Sequence, residues 1–266
     1  MNLSLSQSAI RVGTAGWTLP TPLAGCFSGG GTHLERYGRV FNATEINSSF
    51  YRTHLRSTYA RWAAGVPEDF RFSVKMPQTI THEHRLREAT VALDAFLGQI
   101  AALGTRLGCV LVQLPPSLEF EFDVAHSFLV ALRERYDGAV AVEPRHATWF
   151  VPASTSLLQG HRCTRVAADP ARVPAAARVG AWKEVEYRRL HGSPRIYASS
   201  YDEVYLRRLA TKLVRAQKAG KMPWCIFDNT MFGSAAANGL TLQACLRTAQ
   251  SRFPASAPGV AERPSK

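Results

Sequence analysis

Eight short apolar runs recur along the chain, and each gives way at once to polar or charged residues. They occupy residues 10–15, 40–46, 70–74, 109–112, 139–142, 162–168, 185–190 and 223–227. Most are continuous in hydrophobicity rather than alternating, which is typical of parallel strands covered on both faces. Segments with the helical spacing of apolar residues separate most of the runs. Alternating strands and helices predict a parallel sheet.

Eight such units within residues 10–253 predict one α/β domain, a (β/α)₈ barrel of the TIM type. The competing architecture is an open doubly wound sheet, but no glycine-rich phosphate fingerprint follows any of the runs. Residues 1–9 and 254–266 are polar or rich in small residues, and we expect both segments to be disordered.

The composition excludes several classes of protein. No run approaches the roughly 18 apolar residues of a membrane span, and the N-terminus lacks the layout of a signal peptide. We therefore expect a cytoplasmic protein without membrane contact. The chain has 5 cysteines. An odd number without metal-clip spacing argues against a disulfide framework and a zinc ribbon.

The net charge of +12 raises the question of an anionic partner. Residues 183–221 alone hold ten Lys or Arg and four Asp or Glu, a net charge of +6. Such an excess favours nucleic acid or another polyanion. The alternative is compositional, because the basic residues are mostly arginine in an alanine-rich chain. Nucleic acid is thus a possible partner.

The polar residues at the strand ends are the candidate functional groups, because the site of such a barrel lies at the carboxyl ends of its strands. These strand-end residues are Trp17, Glu45, Asn47, Lys75, Gln113, Glu143, Arg145, Asp169, Arg189, His191, Asp228 and Asn229. Residues two apart on a strand share a face. Charges that face inward need a partner or a ligand. They form either a site or a polar plug that closes the barrel.

Three of these residues are candidate catalytic groups. Glu143 is a candidate general base, and His191 is a candidate acid–base group. Lys75 either forms an ion pair with Glu45 or Glu143 or, if it is desolvated, serves as a Schiff-base amine.

The remaining candidates are substrate-binding residues. Arg145 and Arg189 suit bidentate contact with phosphate or carboxylate. Three aromatic residues could stack on a ring or simply pack. The candidate binding set is Trp17, Glu45, Asn47, Tyr51, Gln113, Arg145, Trp149, Arg189 and Asn229.

No motif for a zinc protease, a P-loop, a nucleophile elbow or a calcium loop is present. We assign no metal ligands, although Glu45, Glu143, Asp169, His191 and Asp228 are donors of a suitable type. The motifs specify neither a cofactor nor an oligomeric state.

Several strand-end motifs together resemble the YecE-like family, a domain of unknown function. They are GTAGW at residues 13–17, TEINSSFYR at 44–52, FSVK at 72–75, TH at 81–82, VQLPP at 112–116, VEPRH at 142–146, RLHG at 189–192 and FDNT at 227–230. The resemblance covers about residues 10 to 250 and implies a TIM-type barrel whose shared residues lie at the strand ends. It implies no established activity.

The chain departs from that family at two places. Thr18, Leu19 and Pro20 replace an aromatic segment after Trp17, and Asp228 replaces the first of two asparagines. The aspartate adds a negative charge to the strand ends.

Three functions remain open. The first is an enzyme that acts on a small anionic or sugar-like substrate by acid–base chemistry, as a hydrolase, lyase or isomerase. The second is a phosphodiester or lesion enzyme that binds nucleic acid. The third is a non-catalytic binding protein.

Overall fold

The computed structural model describes residues 9–252 of the 266-residue chain. The segments expected to be disordered, 1–9 and 254–266, lie outside this range except for residue 9. None of the helices within it combines the length and the apolar content that a membrane crossing requires.

The protein is a mixed α/β structure built on parallel strands. Its strands are β1 Arg11–Thr14, β2 Ala43–Ile46, β3 Arg71–Lys75, β4 Leu107–Gln113, β5 Val140–Glu143, β6 Cys163–Arg165, β7 Ala167–Asp169, β8 Gly180–Ala181, β9 Val185–Leu190 and β10 Met222–Phe227. They form two sheets, in the orders β1-β10-β9-β7 and β2-β3-β4-β5-β6-β8. Every pair is parallel except β6 with β8.

The sixth predicted strand, residues 162–168, is divided between the two sheets. Its first part, β6, pairs with β5, whereas its second part, β7, pairs with β9. Val166 lies between them and donates its backbone N–H to the carbonyl of Val142 at 2.9 Å. The prediction of a single strand here was wrong, because the chain changes neighbours at Val166.

The strict alternation of strand and helix also fails at this place. The segment between β7 and β9 holds a short 3₁₀ helix, Pro174–Ala177, and the antiparallel strand β8, but no α-helix. Pro170 and Pro174 lack the backbone N–H that a helix interior uses, so this segment is a poor helix former.

Within residues 9–252, seven α-helices follow β1, β2, β3, β4, β5, β9 and β10 in turn. They are α1 His33–Gly38, α2 Arg56–Ala64, α3 Thr90–Ile100, α4 Phe122–Arg135, α5 Pro152–Gly160, α6 Glu203–Lys218 and α7 Ser234–Arg252. Thr32 caps α1 as predicted, in a reciprocal capping box with Glu35. The apolar faces of the helices pack on the strands in one large cluster that includes Phe72, Leu132, Leu213 and Phe227.

A second, separate apolar cluster comes almost entirely from the strands. Its buried members are Ala43, Cys109, Leu111, Ala141, Val166, Val185, Tyr187, Trp224 and Ile226. These residues belong to both sheets, so the two sheets share one core.

The first strands of the two sheets also approach each other closely. Ala15, just after β1, forms a parallel bridge with Glu45 of β2, and Gly16 donates its N–H to the Glu45 carbonyl at 2.8 Å. A Cβ on Gly13 would lie 1.9 Å from the carbonyl oxygen of Ala43. Only glycine permits this approach.

Candidate functional site

The side chain of Arg189 lies at the centre of a buried group of charges. Its Nε and Nη2 donate to the two carboxylate oxygens of Glu45, at 3.0 and 2.7 Å. Its Nη1 donates to Glu143 at 2.7 Å, and its Nη2 also donates to Asp228 at 3.0 Å. Arg189 is 1% exposed. One guanidinium therefore joins carboxylates from three different strand ends.

The ionisation of these carboxylates follows from their partners. Burial opposes the charged form of Glu143, but Arg189 and Arg145 outweigh it and hold the pKa of Glu143 well below its usual value. Burial likewise opposes the charge of Asp228, and Arg189 and His191 lower the pKa of Asp228. Both groups are carboxylates at neutral pH.

His191 bridges two of the carboxylates. Its Nδ1 lies 3.0 Å from Asp228 Oδ2, and its Nε2 lies 3.2 Å from Glu143 Oε1. Two ionised acceptors require a proton on both ring nitrogens. Burial alone would lower the pKa of His191, but these two hydrogen bonds outweigh it and raise the pKa. His191 thus lies between two anions, and both hydrogen bonds favour its protonated form.

Arg145 contacts the same carboxylate from the outer side. Its Nε and Nη2 lie 3.3 and 3.2 Å from Glu143 Oε1. Unlike Arg189, Arg145 keeps part of its side chain exposed. It can therefore exchange this contact for one with a ligand.

Lys75 lies beside these charges without an ion pair. Its Nζ is 3.8 Å from the centre of the Phe50 ring, and the side chain is buried. Within residues 9–252 no carboxylate lies within 4.0 Å of this amine. Burial first, and the positive charge of Arg189 second, lower the pKa of Lys75 to about 8.

A cavity of about 360 Å³ lies next to the charge cluster. Its wall includes the charged residues Glu143, Arg145, Arg172 and His191 and the apolar or aromatic residues Ile196 and Tyr197. Tyr197 has a φ of 65° and meets the ring of His191 edge-on at 6.0 Å. A non-glycine residue in this conformation is strained, and such strain is often found at functional sites.

The sequence matches the family described as "Protein of unknown function DUF72" over residues 11–263. The chain belongs to the DUF72 family. This confirms the resemblance drawn from its strand-end motifs.

Named relatives of this DUF72 chain match it over part of their length. It is 34% identical to UPF0759 protein YecE of Escherichia coli over 120 residues, which is 45% of this chain and 43% of that protein. It is 25% identical to UPF0759 protein YunF of Bacillus subtilis over 149 residues, 54% of this chain and 53% of that protein. The matches thus span about half the length of these curated relatives.

Solved structures of the family share the fold of this DUF72 chain. A DUF72 family protein of Thermotoga maritima has a TM-score of 0.74 at 25% identity, over 90% of this chain and 99% of that one. A DUF72 family protein of Enterococcus faecalis has a TM-score of 0.75 at 22% identity, over 90% of this chain and 96% of that one.

The other predicted site residues of this DUF72 chain lie in different surroundings. Gln113 is buried and donates to the carbonyl of Leu114. The side-chain oxygens of Asn47 and Asn229 are buried and have no hydrogen-bond partner within the described residues.

The three predicted stacking aromatics do not share one place. Trp149 is buried, and its indole N–H donates to the carbonyl of Leu118 at 3.0 Å. Trp17 packs edge-on against Trp62 at 5.0 Å. Tyr51 is 69% exposed. None of the three lines the cavity beside His191.

Three residues of this region were not predicted from the sequence. Tyr187 donates to Glu45 at 3.0 Å and to Ser73 at 2.8 Å, and Arg172 and Tyr197 line the cavity. The two-residue spacing that groups Arg189 with His191 also includes Tyr187, and could have identified it. Arg172 and Tyr197 lie in loops, where no periodic pattern identifies them.

The possible metal ligands are otherwise engaged. In the part of the chain that the structure describes, no group of three or more His, Cys, Asp or Glu residues is arranged to hold a metal ion. Glu45, Glu143 and Asp228 are bound by Arg189, whereas Asp169 accepts hydrogen bonds from Tyr201 and Tyr205.

Proposed function

We propose that this DUF72 chain is an enzyme that binds a small anionic or sugar-like substrate at its strand ends and acts on it by acid–base chemistry. The observation that carries this proposal is the convergence of Arg145, Glu143 and His191 on one wall of the cavity. Buried charges cost stability unless they are paired. Here Glu143 is paired with both Arg145 and His191, and all three residues reach a cavity.

The proposal includes a barrel that closes at two seams. The first seam is the Ala15–Glu45 bridge between β1 and β2. The second is the continuous chain from β6 through Val166 to β7, which links the sheets covalently. A core of strand residues from both sheets is what the interior of such a barrel would contain. These features support a (β/α)₈-type ring in which one helix is missing.

Arg145 and Arg172 are the proposed anion-binding residues. Both line the cavity, and Arg172 is exposed. Arginine suits phosphate and carboxylate because its planar donors match their oxygens. Arg189 is assigned a different role from the one expected, since its donors are taken up by Glu45, Glu143 and Asp228. It holds the carboxylates in place.

Glu143 and His191 are the proposed acid–base pair. In the free protein Arg145 and His191 both bind Glu143 Oε1, and a carboxylate with so low a pKa is a weak base. An anion that draws Arg145 away removes one of the cations that lower the pKa of Glu143. Glu143 then becomes a better base at the moment the substrate arrives.

Four of the ten basic residues that suggested a nucleic-acid partner lie away from the cavity. Arg207, Arg208, Lys212 and Arg215 are exposed on α6, whose apolar face packs inward. Arg207 pairs with Glu203 on the same helix. A helix of this kind covers the outside of the sheet rather than the carboxyl ends of its strands. We therefore do not propose nucleic-acid binding as a second function.

Thermal unfolding in the presence of candidate anions tests the proposal. The probes are inorganic phosphate, a sugar phosphate and a dicarboxylate, with short single-stranded DNA for comparison. A ligand at 100 times its dissociation constant stabilises by about 2.7 kcal/mol, which raises Tm by several degrees. We expect a rise with a small anion that Arg145→Gln and Arg172→Gln each reduce.

Arg247→Gln is the matched control, because Arg247 is exposed on α7. It should leave the rise intact. Equal loss in all three variants, or a rise with DNA alone, contradicts the proposal. Turnover of a bound anion that Glu143→Gln abolishes, while binding persists, separates the enzyme from a non-catalytic binding protein.

A further inference from the structure

The amine of Lys75 is chemically distinct from the other charges at the strand ends. Lys75 ends β3 and is 6% exposed. Its Nζ lies over the ring of Phe50, and Phe50 packs edge-on against His82 at 4.8 Å. Among the described residues, no oxygen is paired with this amine by a hydrogen bond or a salt bridge. A buried lysine normally has such a partner.

The neighbouring carboxylates are held by other cations rather than by Lys75. Both oxygens of Glu45 and one oxygen of Glu143 accept from Arg189. The other oxygen of Glu143 accepts from Arg145, and Oδ2 of Asp228 accepts from Arg189 and His191. The guanidinium outcompetes the ammonium, because its fork of donors matches a carboxylate. A cation–π contact with Phe50 compensates only in part for lost hydration.

The charges around Lys75 act on it in opposite directions. Arg189 disfavours the ammonium, whereas Glu45, Glu143 and Asp228 favour it, and burial is the largest effect. His82 adds no positive charge at neutral pH, because burial, Lys75 and Arg145 lower the pKa of His82 to about 4. With the pKa of Lys75 at about 8, roughly a tenth of this amine is neutral at pH 7, against less than about 0.1% for a lysine in water.

We propose that Lys75 is a nucleophilic amine that forms an imine with the carbonyl carbon of an aldehyde or ketone. The neutral fraction of this buried amine, which has no hydrogen-bonded partner within residues 9–252, has its lone pair available for attack. The inference extends the proposed function, because it names carbonyl compounds as the substrate class. It rests on that function in one respect only, since it places the reactive amine and the anion-binding residues at the same strand ends.

The step conserves atoms and electrons. The nitrogen lone pair forms a C–N bond while the carbonyl π pair moves to oxygen, and one proton passes from nitrogen to that oxygen. A second proton then lets the oxygen leave as water, and the nitrogen lone pair closes the C=N bond. The product is a protonated imine, which a hydride donor reduces to a stable secondary amine.

Reductive trapping on the full-length protein tests this step. Glycolaldehyde, which is neutral, and glyoxylate, which is anionic, are each supplied with cyanoborohydride at pH 7, and peptide mass mapping measures the label on every lysine. The chain has six lysines, at positions 75, 183, 212, 218, 221 and 266. We expect Lys75 to be labelled at least about tenfold faster than Lys212, which is exposed on α6.

Two variants complete the test. Lys75→Met should remove the fast label and leave Lys212 labelled, and Lys212→Met should leave the fast label in place. If Lys75→Met does not fold, the mapping of the unmodified protein decides alone. Labelling of Lys75 no faster than that of Lys212 overturns the inference. That result is independent of the anion-dependent rise in Tm, so failure of one proposal is distinguishable from failure of the other.

Discussion

Two layers of side chains lie on the same strands and differ only by a step of two residues. The lower layer is the strand cluster that includes Ala43, Ala141, Tyr187 and Ile226. The upper layer, two residues further along each strand, is Glu45, Glu143, Arg189 and Asp228. Both layers are buried, yet one is mostly apolar and the other is charged.

The difference shows how such a chain separates stability from chemistry. Burial of the lower layer stabilises the fold without any specific partner, because the hydrophobic effect is non-directional. The upper layer is stable only while each charge keeps its partner, since an unpaired buried charge is strongly destabilising. Substitutions in the two layers should therefore have different consequences.

The largest effect is expected in the upper layer. Arg189→Met leaves Glu45, Glu143 and Asp228 without their shared cation, and we expect a loss of about 3–5 kcal/mol in the free energy of unfolding. Urea denaturation measures it. Arg188→Met is the control on the same strand, because Arg188 pairs with Glu186 on the opposite face. Equal losses in the two variants would mean that the shared cation is unimportant.

The next effect is expected in the lower layer. Ile226→Ala removes buried methyl and methylene groups from the strand cluster, and we expect a loss of about 2–4 kcal/mol in the free energy of unfolding. The rise in Tm with a small anion should remain, because the charges above are intact. A variant that folds and has lost the anion response would show that the two layers are coupled.

Lys75→Met should stabilise the protein, in contrast to the two substitutions above. The substitution removes a buried amine that has no ion pair within the part of the chain that the structure describes, and it leaves a flexible apolar chain against Phe50. We expect a gain of about 1–3 kcal/mol at pH 7. The gain should shrink as the pH rises above the pKa of about 8, because the neutral amine no longer resists burial. A loss at pH 7 would mean that the ammonium has a partner in solution.

The smallest expected effect is a change with pH in the stabilising contribution of His191 to the free energy of unfolding. The pKa of His191 is raised in the folded state. The stabilisation that His191 gives the folded state is therefore complete below its unfolded-state pKa of about 6.5, and it is lost as the pH rises through its folded-state pKa. The difference in unfolding free energy between the unmodified protein and His191→Gln should be constant near pH 5 to 6 and should fall above that range.

The control for this experiment is His33→Gln, since His33 is exposed at the start of α1. Glu143 and Asp228 do not interfere, because their pKa values are lowered and their contributions are lost only as pH falls on the acid side. A difference that grows with rising pH would contradict a raised pKa of His191.

Spacing along the strands predicts much of the upper layer. Glu45, Glu143 and Arg189 each end or nearly end an apolar run, and parallel strands bring such residues to one edge. The same rule includes Tyr187, although a tyrosine inside an apolar run resembles an ordinary core residue. What spacing cannot predict is which cation each carboxylate binds. Among the described residues, Arg189 rather than Lys75 pairs with Glu45, Glu143 and Asp228, because its guanidinium reaches across three strands.

The parts that sequence patterns missed depend on contacts distant in the chain. The division of residues 162–168 into β6 and β7 depends on the carbonyl of Val142, which accepts from Val166. Trp149 follows the VEPRH motif and was expected near a ligand, but its indole N–H bonds to Leu118 and the ring packs on Phe120. Neither contact leaves a local signal.

Arg189 should also limit which replacements this chain can accept. Its guanidinium joins Glu45, Glu143 and Asp228, which arise from three segments far apart in the chain. A single change at position 189 leaves three buried carboxylates without their shared cation, whereas a change at one carboxylate leaves the other two in place. Replacements at these four positions should therefore occur together. Among DUF72 sequences we expect these four positions to covary, with position 228 drifting most readily.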